Sequence, residues 1–88
     1  MTEINSGYFS PAELGAAIRA ERKALGRTQK WVANQCRIRA ATVSYIENGR
    51  NVEMFTVMTV LTALGKGLQI VDRHVALDQI QGMFAEED

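Results

Sequence analysis

Residues 28–50 read TQKWVANQCRIRAATVSYIENGR. Thr28 can cap a helix that runs from about Gln29 to Cys36, because its hydroxyl can accept a hydrogen bond from an amide of the first turn. A short break follows, and the apolar spacing predicts a second helix from about Ala40 to Asn48. Gly49 is expected to end this helix, because glycine adopts left-handed backbone angles without strain. The stretch therefore predicts two short helices joined by a tight turn.

Two further helices are predicted to flank this pair. Ser10-Pro11-Ala12-Glu13 is typical of a helix start, in which serine caps, proline occupies the first turn and glutamate bonds back to the cap. That helix is expected to end at Gly26, and another runs from about Glu53 to Leu64 before Gly65. The apolar stripe of this last helix is expected to face the core or, for its methionines, a dimer interface. It consists of Met54, Val57, Met58, Leu61 and Leu64.

The pattern changes after residue 66. Leu68 and Ile70 stand on either side of a polar residue and Val71 extends the run, so Gly67 to Asp72 looks like one β-strand. A lone strand leaves its backbone hydrogen-bonding groups unpaired, and the simplest partner is the same strand of a second copy. A short amphipathic helix is expected from about Val75 to Ala85.

Charge is distributed unevenly along the chain. The ten basic and ten acidic side chains cancel, so the formal net charge is zero. Residues 14–50 nevertheless hold eight bases and two acids, a local charge of +6, and the rest of the chain carries −6. This asymmetry indicates a basic face for a polyanion, with a solvated surface of uneven charge as the alternative on charge alone.

Composition excludes several classes of protein. A chain of 88 residues forms one domain with little room for a deep catalytic cleft. It shows no Ser/His/Asp or Cys/His nucleophile set and no phosphate-binding glycine loop, so we expect no enzyme. His74 has no second ligand at metal-binding spacing, so neither a metal nor a cofactor is expected. No apolar run reaches the roughly 18 residues of a membrane span and no signal peptide is visible, so we expect a cytoplasmic protein without membrane contact.

A helix, a tight turn and a second helix inside a basic segment are the layout of a helix-turn-helix DNA-binding protein. The second helix would enter the major groove, where small outward side chains allow close approach to the bases. The predicted base contacts are Arg39, Ala40, Ala41, Ser44 and Tyr45. The predicted phosphate contacts are Thr28, Gln29, Lys30, Arg37, Thr42 and Arg50. An ordinary solvated helix face is the alternative for these positions.

A wider set of positions stands in the same register. They are Leu14-Gly15, Ile18-Arg19, Arg22, Gly26, Thr28-Gln29, Val32-Ala33, Thr42, Ser44, Ile46-Glu47-Asn48-Gly49-Arg50, Leu61 and Ala63-Leu64-Gly65. Over about residues 11–65 the chain thereby resembles the XRE-type helix-turn-helix family of phage repressors and Cro proteins. The resemblance implies a compact helical DNA-binding domain that works as a dimer. It also implies an ion pair between Arg22 and Glu47 that ties the first helix to the end of the recognition helix.

Two positions depart from that family. Its turn usually holds a glycine where this chain has Arg37, so the turn is either slightly different or strained by about 1 kcal/mol. Trp31 is unusual near the start of the second helix. We expect it to pack over a neighbouring helix, with a contact to a partner as the alternative.

The segment after the fourth helix narrows the resemblance. A strand at Gly67 to Asp72 is similar to HipB-type antitoxins, in which two such strands pair across the dimer axis. This implies a homodimer through Leu68, Ile70 and Val71, a palindromic operator in double-stranded DNA, and a HipA-type kinase toxin as a possible partner. The expected function is a transcriptional repressor that autoregulates a toxin–antitoxin operon. The alternatives are a stand-alone regulator without a toxin and a protein-interaction module for a toxin or kinase.

The predicted fold class is therefore all-α. It comprises a compact helix-turn-helix domain of four to five short helices, plus one C-terminal β-strand that pairs across a homodimer. The expected divisions are an N-terminal arm at 1–9, the DNA-binding domain at 10–66, and the dimerising strand with the short C-terminal helix at 67–88.

Overall fold

The computed structural model describes residues 10–72, which form four helices in chain order. These helices are α1 (Pro11–Ala24), α2 (Gln29–Cys36), α3 (Ala40–Glu47) and α4 (Met54–Ala63). The helical fold class and the tight turn between α2 and α3 are confirmed, and each helix lies within two residues of its predicted bounds. The predicted N-terminal arm and the predicted C-terminal helix lie outside the described residues.

Local capping explains where the first helix begins. The Ser10 hydroxyl accepts a hydrogen bond from the Glu13 N–H at 3.2 Å, and the Glu13 carboxylate accepts one from the Ser10 N–H at 3.2 Å. This reciprocal pair satisfies two amides that have no partner within the helix. Pro11 fits the same end because its fixed φ angle suits the first helical turn.

All four helices end in the same hydrogen-bonded turn, in which a left-handed residue reverses the chain. Three of these left-handed residues are Gly26, Gly49 and Gly65. The fourth is Arg37, at φ 59° and ψ 45°, and the amide that follows it, that of Ile38, donates to the Ala33 carbonyl at 3.0 Å. The turn therefore keeps the left-handed geometry, which costs about 1–2 kcal/mol because the residue there carries a side chain.

The centre of the core holds one β-branched residue from each helix. The largest fully buried side chains are Ile18, Val32, Val43 and Val60. Each comes from a different helix, so no helix can leave the bundle without exposing part of this centre. Their stiff side chains pack with little loss of rotamer freedom, which suits a core this small.

The buried face of α4 differs from the predicted stripe. Val57, Leu61 and Leu64 are buried as expected, and Val60 joins them. Met54 and Met58 are 59% and 49% exposed, and Phe55 beside them is 80% exposed. Of the two expected positions for these methionines, the core is therefore excluded for Met54 and Met58, and the dimer interface stays a prediction. The sequence could not choose between faces because α4 is apolar on both, reading MFTVMTVLTA.

Residues 66–72 follow α4 without regular secondary structure, and no strand pairing occurs within residues 10–72. Ile70 is 99% exposed and Leu68 47% exposed. With Val71, Leu68 borders an open groove of about 540 Å³ between α1 and α4. The predicted strand stays a prediction, because its expected partner is a second copy. Across the described residues, no helix has the length and apolarity needed to cross a membrane.

Candidate nucleic-acid interface

Helix α3 separates an inward face from an outward one. Val43, Ile46 and Glu47 are buried, which fixes the rotation of the helix against the core. The predicted base-contacting residues fall on the opposite side: Arg39, Ala40, Ala41 and Tyr45 are exposed, and Ser44 is half-buried. Thr42, a predicted phosphate contact, is half-buried in the first turn of the same helix. The outer surface of α3 thus carries small side chains at its start, Ala40 and Ala41, and a large one, Tyr45, near its end.

Polar groups at the end of α3 are held by local hydrogen bonds. The Asn48 side-chain amide donates to the Ser44 carbonyl at 2.8 Å and to the Ser44 hydroxyl oxygen at 3.3 Å. The Ser44 hydroxyl keeps its own hydrogen to donate outward. Asn48 was not among the predicted contacts. Its spacing of four residues from Ser44 is the signal that could have revealed the pair.

Arg50 is anchored to Tyr45 by two interactions. Its backbone N–H donates to the Tyr45 carbonyl at 2.9 Å, as part of the turn that ends α3. Its guanidinium lies over the Tyr45 ring, 4.4 Å from the centroid. The flat face of the guanidinium therefore rests on the ring while its N–H edges remain available to an anion.

The amino-terminal end of α2 contains three of the predicted phosphate contacts. The Thr28 hydroxyl accepts from the Trp31 N–H at 2.9 Å and so caps the helix as expected. The Gln29 side-chain amide donates to the Glu47 carboxylate at 3.0 Å, so it points inward. What Gln29 and the exposed Lys30 offer outward is their backbone N–H groups, which have no partner within residues 10–72.

A buried ion pair connects α1 to the end of α3. Arg22 Nε lies 2.6 Å from Glu47 Oε2, and Arg22 Nη2 lies 3.1 Å from Glu47 Oε1. The side chains are 9% and 1% exposed. The third edge of the guanidinium donates through Nη1 to the Arg27 carbonyl at 2.8 Å. This is the pair that the resemblance implies, and it orients α3 against α1.

The hydrogen bond to Glu47 raises the pKa of Arg22 above its ordinary value, and burial, which opposes the charge, lowers it by less. The guanidinium therefore remains charged at neutral pH. Because each formal charge of this pair is neutralised internally, the pair contributes nothing to the surface. The +6 of residues 14–50 is consequently carried by exposed side chains.

The contact between α1 and α3 is also fixed by close packing of their backbones at Gly15. A Cβ at Gly15 of α1 would lie 2.3 Å from the Ile46 carbonyl oxygen and 2.7 Å from that of Glu47. These are backbone atoms, so a side chain at position 15 would force the two helices apart. The absence of a side chain there lets α1 lie directly on α3 and holds the outward face of α3 in place.

Six exposed bases between residues 23 and 50 have no acidic partner within residues 10–72. They are Lys23, Arg27, Lys30, Arg37, Arg39 and Arg50. Glu21, the remaining acid of the basic segment, lies 3.3 Å from Lys66. Arg19 lies at the limit of an ion pair, 4.0 Å from Glu47. The unpaired bases lie before α2, in its first turn, in the turn between α2 and α3, and at both ends of α3. This arrangement suits a phosphate backbone on two sides of an inserted helix.

Cys36 faces the interior and not this surface. Its thiol lies 3.7 Å from the Thr59 carbonyl of α4, and burial raises its pKa above the ordinary value for a thiol. The thiolate form is therefore disfavoured at neutral pH, as expected for a small residue packed against the core.

Comparison with protein families assigns this domain to a known family. A family model described as a helix-turn-helix domain matches residues 13–76. The match spans all four helices, including α2, the turn and α3. Comparison with curated proteins gives no match.

Solved structures share the fold. HipB in the HipA-HipB-O2-O3 complex is 28% identical, covers 84% of this chain and 100% of its own, and superposes with a TM-score of 0.70. The restriction-modification controller protein C.AhdI from Aeromonas hydrophila is 28% identical over 64% of this chain and 86% of its own, with a TM-score of 0.59. The clp gene regulator ClgR from C. glutamicum is 29% identical over 74% and 85%, with a TM-score of 0.62. The chain belongs to the helix-turn-helix family of DNA-binding transcriptional regulators.

Proposed function

We propose that this protein is a homodimeric, sequence-specific transcriptional repressor that inserts α3 into the major groove of double-stranded DNA. The observation that carries the proposal is the outward face of α3, which combines small side chains with unpaired arginines at both ends. A flat helix face can approach base edges closely, and flanking cations neutralise the phosphates on either side.

The residues take distinct roles in this proposal. Arg39 at the start of α3 reaches a guanine edge, where its planar group can form two hydrogen bonds. Ala40 and Ala41 contact thymine methyl groups, and Ser44 donates its hydroxyl hydrogen. Arg37, Thr42 and Arg50 contact phosphates from the turn and from α3. The open amides at the start of α2, at Gln29 and Lys30, bind a phosphate with the positive end of the helix dipole.

Dimerisation is proposed through the segment after α4. Leu68, Ile70 and Val71 would pair with the same residues of a second copy, because a predicted strand without a partner leaves both its backbone groups and its apolar side chains in water. Support comes from the full exposure of Ile70 and from the exposed Met54, Phe55 and Met58 on the neighbouring helix. Two recognition helices in such a dimer would lie about 34 Å apart and bind a palindrome.

We further propose that the repressor is an antitoxin that autoregulates its operon and binds its toxin. Support comes from the likeness to HipB, which extends over the whole HipB chain in the structure of the HipA-HipB-O2-O3 complex. A stand-alone regulator is the second candidate, and the likeness to C.AhdI and ClgR favours it. Co-purification of a kinase-like toxin encoded beside this gene distinguishes the two, since a stand-alone regulator would retain none.

The DNA-binding proposal is tested by fluorescence anisotropy with the DNA upstream of the gene and a scrambled duplex of equal length. We expect tight binding to the first duplex that weakens steeply with salt, as phosphate counterions return. Arg39→Ala should lower the affinity for the upstream duplex by about 1–3 kcal/mol. It should also reduce the difference in affinity between the upstream and the scrambled duplex. Lys66→Ala is the matched control, because it removes a cation near Glu21 and away from α3. Equal binding by Arg39→Ala and wild type would refute this docking.

A further inference from the structure

Arg27 lies immediately before Thr28, the cap of α2, and both its backbone and its guanidinium group are restrained. Its carbonyl accepts a hydrogen bond from the buried Arg22 Nη1 at 2.8 Å. Its guanidinium carbon lies 4.3 Å from the centroid of the Trp31 ring. The backbone is thus tied to the α1–α3 ion pair, and the charged group is tied to an aromatic ring of α2.

The stacked guanidinium retains its capacity to bind an anion. Stacking occupies the flat face of the group and leaves its five N–H donors around the edge. Arg27 is exposed and has no acidic partner within residues 10–72. Those donors match the geometry of a phosphate, which an arginine can bind with two parallel hydrogen bonds.

We propose that Arg27 binds a backbone phosphate of the DNA at the amino-terminal side of α2, and that Trp31 is the residue that positions it. The inference rests on the proposed DNA-binding function and adds a contact to it. It also assigns a role to Trp31: the ring packs in part against the core and carries the guanidinium over its exposed part.

The same device occurs at the other end of the helix-turn-helix unit. Arg50 lies over the Tyr45 ring just as Arg27 lies over Trp31, at 4.4 Å and 4.3 Å. One stacked arginine therefore precedes α2 and the other follows α3. A free arginine must lose rotamer freedom when it binds a phosphate, and an aromatic ring that already holds it lowers that loss.

The test measures affinity for the upstream duplex and the scrambled duplex across a salt series. Arg27→Ala should weaken binding to both duplexes by the same factor. It should also reduce the slope of log affinity against log salt concentration by about 0.9, the contribution of one phosphate contact. Trp31→Leu keeps an apolar side chain and removes the ring, so it should weaken binding about 2–5-fold when Arg27 is present. In the Arg27→Ala background the same change should have no further effect. Trp31→Phe, which keeps a ring, should bind nearly as wild type.

Each other outcome has a definite meaning. If wild type binds neither duplex, the proposed function itself fails. If wild type binds and Arg27→Ala leaves the salt slope unchanged, only the phosphate contact is overturned. If Trp31→Leu weakens binding equally in both backgrounds, Trp31 does not act through Arg27 and the positioning role is wrong. Thermal melting of every variant confirms that each one is folded at the assay temperature.

Discussion

The buried pair of Arg22 and Glu47 offers the sharpest test of how this fold is held together. Each partner is nearly inaccessible, and Glu47 accepts two hydrogen bonds from Arg22 and one from Gln29. Removing one partner leaves the other charge buried without compensation, which costs about 3–5 kcal/mol. Native domains have a total stability of about 5–15 kcal/mol, so either single change should remove a large fraction of the free energy of unfolding.

Two single variants and their combination separate this effect from simple loss of packing. Arg22→Met and Glu47→Leu each keep apolar volume and remove one charge. Each should lower the melting temperature by about 12–40 °C, because 1 kcal/mol corresponds to about 4–8 °C in a domain of this size. The double variant replaces the pair by packed apolar groups and should recover stability to within about 1–2 kcal/mol of wild type.

Urea denaturation followed by far-ultraviolet circular dichroism measures all four proteins. The expected signature is strong non-additivity, with a double variant more stable than either single variant. Additive losses would refute the reasoning, because they would mean that each side chain contributes independently and that the unpaired charge carries no special cost. Arg19→Ala is a suitable control, since Arg19 is largely exposed and lies 4.0 Å from Glu47.

Four further changes have expected outcomes. Gly15→Ala should destabilise the protein by about 1–3 kcal/mol in urea, because its Cβ meets backbone of α3; unchanged stability would contradict that contact. Arg37→Gly should raise stability by up to about 1 kcal/mol while weakening DNA binding, and a loss of both would contradict the strain. Since burial raises the pKa of the Cys36 thiol, the folded state holds that proton more tightly. Wild type should therefore lose stability relative to Cys36→Ala as the pH rises above 9.0, and parallel pH profiles would contradict this. Ile70→Pro should give monomers on size exclusion with an unchanged helical spectrum, and a surviving dimer would contradict strand pairing.

Zero net charge has a specific consequence for the proposed DNA binding. The protein as a whole exerts little long-range attraction on a polyanion, so binding depends on orienting the basic face. The buried pair contributes no surface charge, and the other bases of the helix-turn-helix unit are exposed. The chain thus combines overall neutrality with a local surface suited to phosphates.

Helix boundaries were predictable because the signals that set them are local. Ser10 and Thr28 cap helices through hydrogen bonds to amides three residues away. Each helix ends at a residue with left-handed backbone angles, and at three of the four ends this residue is a glycine that can be recognised in the sequence. The helix-turn-helix register and the outward position of Arg39, Ala41 and Tyr45 follow from the same short-range pattern of apolar residues.

Other features depend on residues far apart in the chain. Gln29 is adjacent to a cap, and its spacing is compatible with a phosphate contact, yet its amide is held by Glu47, 18 positions later. The left-handed geometry of Arg37 is one of two possibilities that the sequence leaves open, and the structure shows that the turn keeps it. The family resemblance, and not residue spacing, supplied the pair of Arg22 and Glu47.

The sequence by itself determined four helices, their ends and the position of a basic helix-turn-helix unit, because capping and periodicity act within one or two turns. The tertiary structure alone decided which apolar face of α4 is buried and which cations remain free. Apolar residues lie all around that helix, so only the shape of the surrounding bundle could select Val60 and leave Phe55 in solvent. The stacking of Arg27 on Trp31 likewise requires the chain path before α2, which Arg22 fixes from a different helix.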